Sequence, residues 1–303
     1  MDKKRIFITG GTGFIGKKLI ERLMETDRFA VLQLREKECS LTNYAQVGNL
    51  VQTFDPHFII HLAAKTEVEK SFYEPVEFSE VNYCGTVNLI EKARSCKSLE
   101  LFIFSSTMET YGAFPKHLWT PFTEETTQHP NAPYAVAKLA CEKYLIYAAR
   151  AYGFPSTILR QANTYGRDDN DFFVVEQMIT QMLKNKDEVN FGYREPWRNF
   201  LYIEDLLDLY MLILNNVNLS MGEVFCAGIP NAIQISSLAK KIAGLLKWDG
   251  KINWGTKPAR PGEIYYLNCT NDKASRVLNW NPIYSLDYGL DETIKIWKDK
   301  LNV

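Results

Sequence analysis

An excess of charge of either sign is missing from this sequence. Its 303 residues carry 35 lysines and arginines against 36 aspartates and glutamates, a net charge near −1. No basic surplus is there to neutralise a nucleic-acid backbone or an anionic bilayer, so neither is an expected partner. A small phosphorylated ligand stays open, because a few arginines or one helix N-terminus suffice for it. Long apolar runs are missing too: none approaches the ~18 residues of a membrane helix. The charged start Met1 to Arg5 leads into Ile6-Phe7-Ile8 without the apolar stretch of a signal peptide. Cysteine is sparse. The six at 39, 84, 96, 141, 226 and 269 form no C-x-x-C pair, and no zinc spacing links them or the histidines His57, His117 and His129. Reduced thiols, a cytoplasmic location and no metal are expected. Neither internal repeat nor low-complexity linker breaks the chain.

Apolar residues at 46% and charged residues at 23% describe an ordinary globular chain. The first half alternates two periodicities. Strands are expected at Arg5–Thr9, Ala30–Leu34, Phe58–His61, Leu99–Phe104 and Pro155–Leu159. Helices are expected at Phe14–Met24, Asn43–Phe54, Glu74–Ala93 and Pro133–Tyr152. Alternation of this kind implies a Rossmann-type, doubly wound parallel sheet with helices on both faces. After about Asn163 the alternation loosens, with turn signals at Gly228-Ile229-Pro230 and Arg260-Pro261-Gly262. A dinucleotide-binding domain over 1–165, to which about 190–218 returns, and a smaller mixed α/β substrate domain over 166–303 are the expected division. The cleft between them is the default substrate site.

Gly11-Thr12-Gly13-Phe14-Ile15-Gly16 fits G-x-G-x-x-G between a strand and a helix, the context that gives the motif meaning. Glycine permits the tight turn, and exposed helix N–H groups then face a pyrophosphate. Gly10, Gly13, Phe14, Ile15 and Gly16 are therefore candidate cofactor contacts. Where an acid would bind the ribose of NAD, the second strand ends Leu34-Arg35-Glu36. The Arg35 guanidinium suits a 2′-phosphate and leans toward NADP over NAD. The alternative is a solvated Arg35, with Glu36 or Glu38 on the ribose.

Tyr134-Ala135-Val136-Ala137-Lys138 opens a helix with i, i+4 spacing, so both side chains share a face. An ammonium beside a phenol favours phenolate and lets the tyrosine move protons near neutral pH. The sequence resembles the extended short-chain dehydrogenase/reductase superfamily, in its nucleotide-sugar epimerase/dehydratase branch. The matching stretches are Gly10–Gly16, His61-Leu62-Ala63-Ala64, Asn82–Leu89, Ser105–Gly112, Tyr134–Lys138, Arg160–Gly166, Arg198–Asp205 and Arg260-Pro261-Gly262-Glu263, in family order over nearly the whole chain. The resemblance implies roles at these positions: Tyr134 as general base, Lys138 as its pKa-lowering and ribose-binding partner, Thr107 on the same sugar oxygen, and Asn82 as a structural residue. It implies Leu62, Ala63 and Ala64 against the cofactor, and Asn163, Arg198 and Arg260 on a substrate diphosphate.

Ser106-Thr107-Met108-Glu109-Thr110-Tyr111-Gly112 bears on the chemistry. The 4,6-dehydratases resemble S-T-D-E-x-Y-G, their Asp protonating the departing C6 hydroxyl and their Glu removing the C5 proton. This chain keeps Thr107 and Glu109 but has Met108 at the Asp position, where a thioether cannot donate a proton. Oxidation at C4 followed by chemistry at C5, 4,6-dehydratase-like, is the leading expectation, with Met108 packed against the sugar or nicotinamide. A 4-epimerase or NADPH-dependent 4-keto-sugar reductase, in which Glu109 is a bystander, is the second. A non-catalytic dinucleotide-binding regulator is the third, and intact Thr107, Tyr134 and Lys138 weigh against it. By analogy with the family, a homodimer would form through Glu74–Ala93 and Pro133–Tyr152.

Overall fold

The computed structural model describes residues 3–35, 37–256, 258 and 260–303. Its centre is a six-stranded, wholly parallel sheet. In chain order the strands are β1 (Lys4–Thr9), β2 (Phe29–Leu34), β3 (Phe58–His61), β4 (Leu101–Thr107), β5 (Ser156–Gln161) and β6 (Val224–Ala227). They lie in the order β2-β1-β3-β4-β5-β6. β3 and β5 are buried at every position, because helices cover both faces. On one face Val47, Val51, Leu89, Ile90, Cys141 and Leu145 pack under the sheet. Four of the helices flanking the sheet are α1 (Phe14–Glu25), α2 (Tyr44–Phe54), α3 (Gly85–Ala93) and α4 (Pro133–Tyr152). Of the four, α2, α3 and α4 cover that face, while Leu19 and Leu23 of α1 join the core on the other. Among the described residues no helix is long and apolar enough to cross a membrane.

The expected doubly wound sheet is present, with three differences of detail. β4 and β5 each run two or three residues past the apolar runs that announce them, through Ser105-Ser106-Thr107 and Arg160-Gln161. Polar residues at the carboxyl ends of parallel strands face the ligand crevice, so they break the apolar pattern where function begins. β6 comes from far along the chain, where four residues between turns carry too little periodicity to be read. The helix expected over Glu74–Ala93 starts at Pro75 and contains a five-residue π-turn at Glu80–Cys84. That widened turn holds buried Asn82, whose side chain accepts from Lys65 N–H at 2.8 Å and donates to Lys65 C=O at 2.9 Å.

Beyond the sheet, Asn163–Tyr165 pairs with Phe200–Tyr202, so Asn163 stands opposite Phe200. Trp197–Arg198 lies between Ile233–Gln234 and Tyr266–Leu267 in a small three-stranded sheet. These short pairings bring segments 163, 198 and 260–266 to the same end of the large sheet.

Candidate active site

The carboxyl ends of β1, β3, β4 and β5 open onto one cleft of about 920 Å³. Its floor is the glycine loop. Gly10 has φ +73°, and a Cβ there would lie 2.7 Å from the Ala63 backbone nitrogen. Only glycine lets the loop lie that close to the Leu62-Ala63-Ala64 turn. Gly13 is the N-cap of α1, with no side-chain cap and no acid in the first turn. The first-turn amides are therefore free for an anion, and Phe14, Ile15 and Gly16 line the cleft with them. This cradle fits the pyrophosphate of a dinucleotide. A Cβ at Gly16 would sit 2.2 Å from the Gly10 carbonyl oxygen and 2.7 Å from Gly11 Cα. Gly16→Ala is therefore expected to open the turn at a cost of about 1–3 kcal/mol, weakening dinucleotide binding roughly 10–100-fold. Titration of bound-cofactor fluorescence measures this, and unchanged affinity would remove the loop from the site.

The side wall is reactive. Thr107 ends β4 and caps the short 3₁₀ turn Met108–Tyr111, its hydroxyl accepting from Glu109 N–H at 3.2 Å. Glu109 is 8% exposed. Burial lifts its carboxyl above the usual carboxylate range; Arg198 and Arg260 oppose this and Glu263 adds to it. Tyr134 and Lys138 come from the first turns of α4, where Pro133 pre-sets the helix at N1. Lys138 Nζ donates to Ser105 C=O at 2.7 Å and lies 4.8 Å from the Phe104 ring centroid. Burial draws its pKa down to about 8, against the pull of Cys141 and Glu142.

The phenol of Tyr134 departs from the expectation of a lowered pKa. Burial pushes it up, the Glu109 carboxylate adds to that, and only the Thr107 hydroxyl pulls the other way. With the ammonium held by a backbone carbonyl, desolvation outweighs any attraction between the pair.

Asn163, Arg198 and Arg260 line the same cleft. Arg198 is 7% exposed, so it is no surface salt bridge. Arg198 Nη2 and Arg260 Nη2 both donate to Glu263 Oε1, at 3.0 and 3.1 Å, and Arg260 Nε reaches Glu263 Oε2 at 3.1 Å. Burial works to raise the Glu263 carboxyl, but the two guanidinium groups outweigh it and hold it below its usual range. Glu263 is the residue sequence reasoning passed over. It belongs to the Arg260-Pro261-Gly262-Glu263 stretch, three residues from an arginine, a spacing that permits a local ion pair. Arg167 was also passed over; it lines the cleft with its guanidinium 3.7 Å from the Phe173 ring centroid and 4.7 Å from that of Phe14.

Two expected site residues are not in the wall. Met108 is completely buried in the hydrophobic core and does not line the cleft, so its expected contact with sugar or nicotinamide is corrected. The 3₁₀ turn sends neighbouring side chains in different directions, and an apolar thioether gains from the core. Arg35 stands just past Leu34, at the rim. Its side chain is more than half exposed, with Nη1 3.6 Å from a Glu38 carboxylate oxygen. Glu36 lies outside the described residues. His61 is fully buried under the glycine loop, between the Thr9 and Thr86 hydroxyls at 2.6 and 2.7 Å. Burial, with Lys138 adding, lowers its pKa to about 3, so it is a neutral structural group.

Residues 6–228 match the model of the NAD dependent epimerase/dehydratase family. A human dTDP-D-glucose 4,6-dehydratase is 28% identical, with 99% of this chain and 91% of that protein aligned. A GDP-6-deoxy-D-mannose reductase of Pseudomonas aeruginosa is 24% identical over 98% of each chain. The crystal structure of UDP-glucose 4-epimerase from Thermotoga maritima, with UDP-glucose, superposes with a TM-score of 0.88 at 29% identity, covering 98% of this chain and 99% of that one.

Proposed function

The chain belongs to the NAD dependent epimerase/dehydratase family, and from that membership we propose that it oxidises C4 of a nucleoside-diphosphate sugar and then acts at C5, as a 4,6-dehydratase does. One observation carries the reading: Thr107, Glu109, Tyr134 and Lys138 share a single cleft with the glycine loop, with buried Arg198 and with half-buried Arg260. Arg198, Arg260 and Asn163 hold the diphosphate, and the arginines exchange Glu263 for phosphate oxygens as it arrives. Segments after 166 supply most of this substrate side. Bound on the glycine loop, a nicotinamide dinucleotide supplies reversible storage of a hydride. Tyr134 removes the C4 hydroxyl proton while Thr107 hydrogen-bonds the same oxygen. The C4 ketone acidifies the C5 proton, which Glu109 takes. Since Met108 offers no acid, Glu109 itself returns that proton to the departing C6 oxygen. A carboxyl whose pKa is raised by burial is suited to holding it.

The same missing acid favours a second reading, a 4-epimerase or an NADPH-dependent 4-keto-sugar reductase. A panel of UDP-, GDP-, CDP- and dTDP-sugars, read by mass, separates them. Loss of one water supports the dehydratase; a C4 epimer without water loss overturns it. Stoichiometric NADPH oxidation with a 4-keto sugar identifies the reductase.

The cofactor is a nicotinamide dinucleotide, and we assign NADP from Arg35, whose exposed guanidinium can exchange its solvent-screened Glu38 contact for a 2′-phosphate. Such a charge-assisted contact is worth about 1.5–3 kcal/mol. Arg35→Asp is expected to shift the NADP/NAD affinity ratio toward NAD by roughly ten- to a hundredfold. An unmoved ratio in paired titrations returns the assignment to NAD. A homodimer is part of the same reading: Val76, Val136, Tyr147 and Tyr152 leave apolar surface exposed on the two helices that would form it.

A further inference from the structure

Behind the cleft lies a second polar centre, which meets the cleft lining at Ser106. Glu142 is fully buried on α4, one helical turn past Lys138. Its carboxylate accepts from Arg160 Nε at 3.1 Å and Nη2 at 2.9 Å, from Gln128 Nε2 at 3.0 Å, and from the Ser106 hydroxyl. The remaining nitrogen of Arg160, Nη1, donates to the Tyr111 hydroxyl at 3.0 Å and to Glu124 C=O at 2.9 Å. The Gln128 amide also reaches the Thr110 hydroxyl at 2.9 Å. Neither Glu142 nor Arg160 lines the cleft.

Stability is a poor account of such a pair. The loss of hydration of two buried charges about cancels their attraction, and apolar residues of equal volume often do as well. Placement accounts for it better. Ser106, Thr110 and Tyr111, the side chains this centre grips, bracket Thr107 and Glu109 in the chain. Glu142 belongs to the helix that presents Tyr134 and Lys138. The pairing of β4 with β5 ends at Thr107 opposite Gln161, so the sheet ladder does not hold the turn that follows. Backbone contacts of Tyr111 and Gly112 with His129 close its far end.

We propose that Glu142, through Ser106, Gln128 and Arg160, is a positioning residue that keeps Thr107 and Glu109 in register with Tyr134 and Lys138. The proposal rests on the catalytic reading given above. Arginine is required at 160, since all three of its nitrogens are engaged and a lysine has only one.

The test compares Glu142→Leu, Arg160→Met and the double variant in thermal unfolding, steady-state kinetics and backbone hydrogen exchange. Each single variant strands one buried charge and is expected to unfold at lower temperature. The double variant removes both charges and is expected to recover most of that loss. Its kcat stays at least about tenfold down, because a misplacement near 1 Å can cost a hundredfold, while KM for the nucleotide sugar holds within about twofold. Amides of 106–111 exchange faster and those of 10–16 do not change. A double variant with parental kcat and parental exchange at 106–111 overturns the proposal. If the double variant does not fold, Glu142→Gln is judged by the same two readouts, with the same outcome overturning it. Failure of the catalytic reading has its own mark: Tyr134→Phe would retain turnover, and the exchange at 106–111 would still decide whether the network positions that segment.

Discussion

Tyr134→Phe is expected to lower kcat by about 10²–10⁴-fold, with dinucleotide and nucleotide-sugar affinities changed only a few-fold. The ring is almost entirely buried, and phenylalanine refills its volume while removing the only oxygen that Tyr134 brings to the cleft. In the free protein the phenol is held protonated by burial and by Glu109. Its proton therefore leaves only when positive charge in the assembled site compensates. Lys138 is the cation the chain supplies. Its folded pKa is lowered to about 8, so the ammonium is present below that pH and is lost as pH rises through it. An alkaline limb near pH 8 is expected in the kcat/KM profile, which reports the free enzyme's groups, and Lys138→Met should remove that limb along with most of the rate. Steady-state kinetics and calorimetric titration together check this. A Tyr134→Phe protein with parental kcat would take Tyr134 out of the mechanism.

Glu109→Gln is expected to separate the two halves of the reaction. Oxidation at C4 should persist, seen as the reduced-nicotinamide absorbance on adding substrate. Exchange of the C5 hydrogen with deuterated solvent should fall by about 10²–10⁴-fold, the range of a lost general base. Glutamine keeps the shape and the hydrogen-bonding oxygen but has no ionisable group. The parental enzyme should also show an acidic limb. The folded pKa of Glu109 is raised, so the basic carboxylate is present above a pH higher than the usual carboxylate range and is lost as pH falls through it. Glu109→Gln should abolish that limb. Parental C5 exchange in the variant would take Glu109 out of the C5 step, whereas no C5 exchange in the parental enzyme itself would favour the epimerase or reductase.

How much of the site was legible depended on how local each signal was. The glycine loop is a matter of consecutive residues, a strand before it and a helix after it, and it reads off the chain directly. Tyr134 and Lys138 share a face by helical spacing alone, so their common placement could be read as well. Their electrostatics could not: burial decides them, and burial arrives from β4 and the loop beneath. Met108 shows the same limit. A position in a motif names the residue but not the direction its side chain takes, and a 3₁₀ turn sends this one into the core.

By itself, the sequence determined the order of strands and helices through the first half of the chain, the cradle of uncapped amides at Gly13, and which side chains can move protons or hold phosphate. These follow from residue type and from spacing over a few positions, where backbone geometry is the only link required. Tertiary structure alone decided what those groups meet. It brought Arg198 and Arg260 onto Glu263 and within reach of Glu109, added β6 to the sheet edge, and set Glu142 against Arg160 and Ser106. Apart from Arg260 and Glu263, three residues apart, those partners are separated in sequence by distances that carry no periodicity, and only the packing of the folded chain removes the water between them.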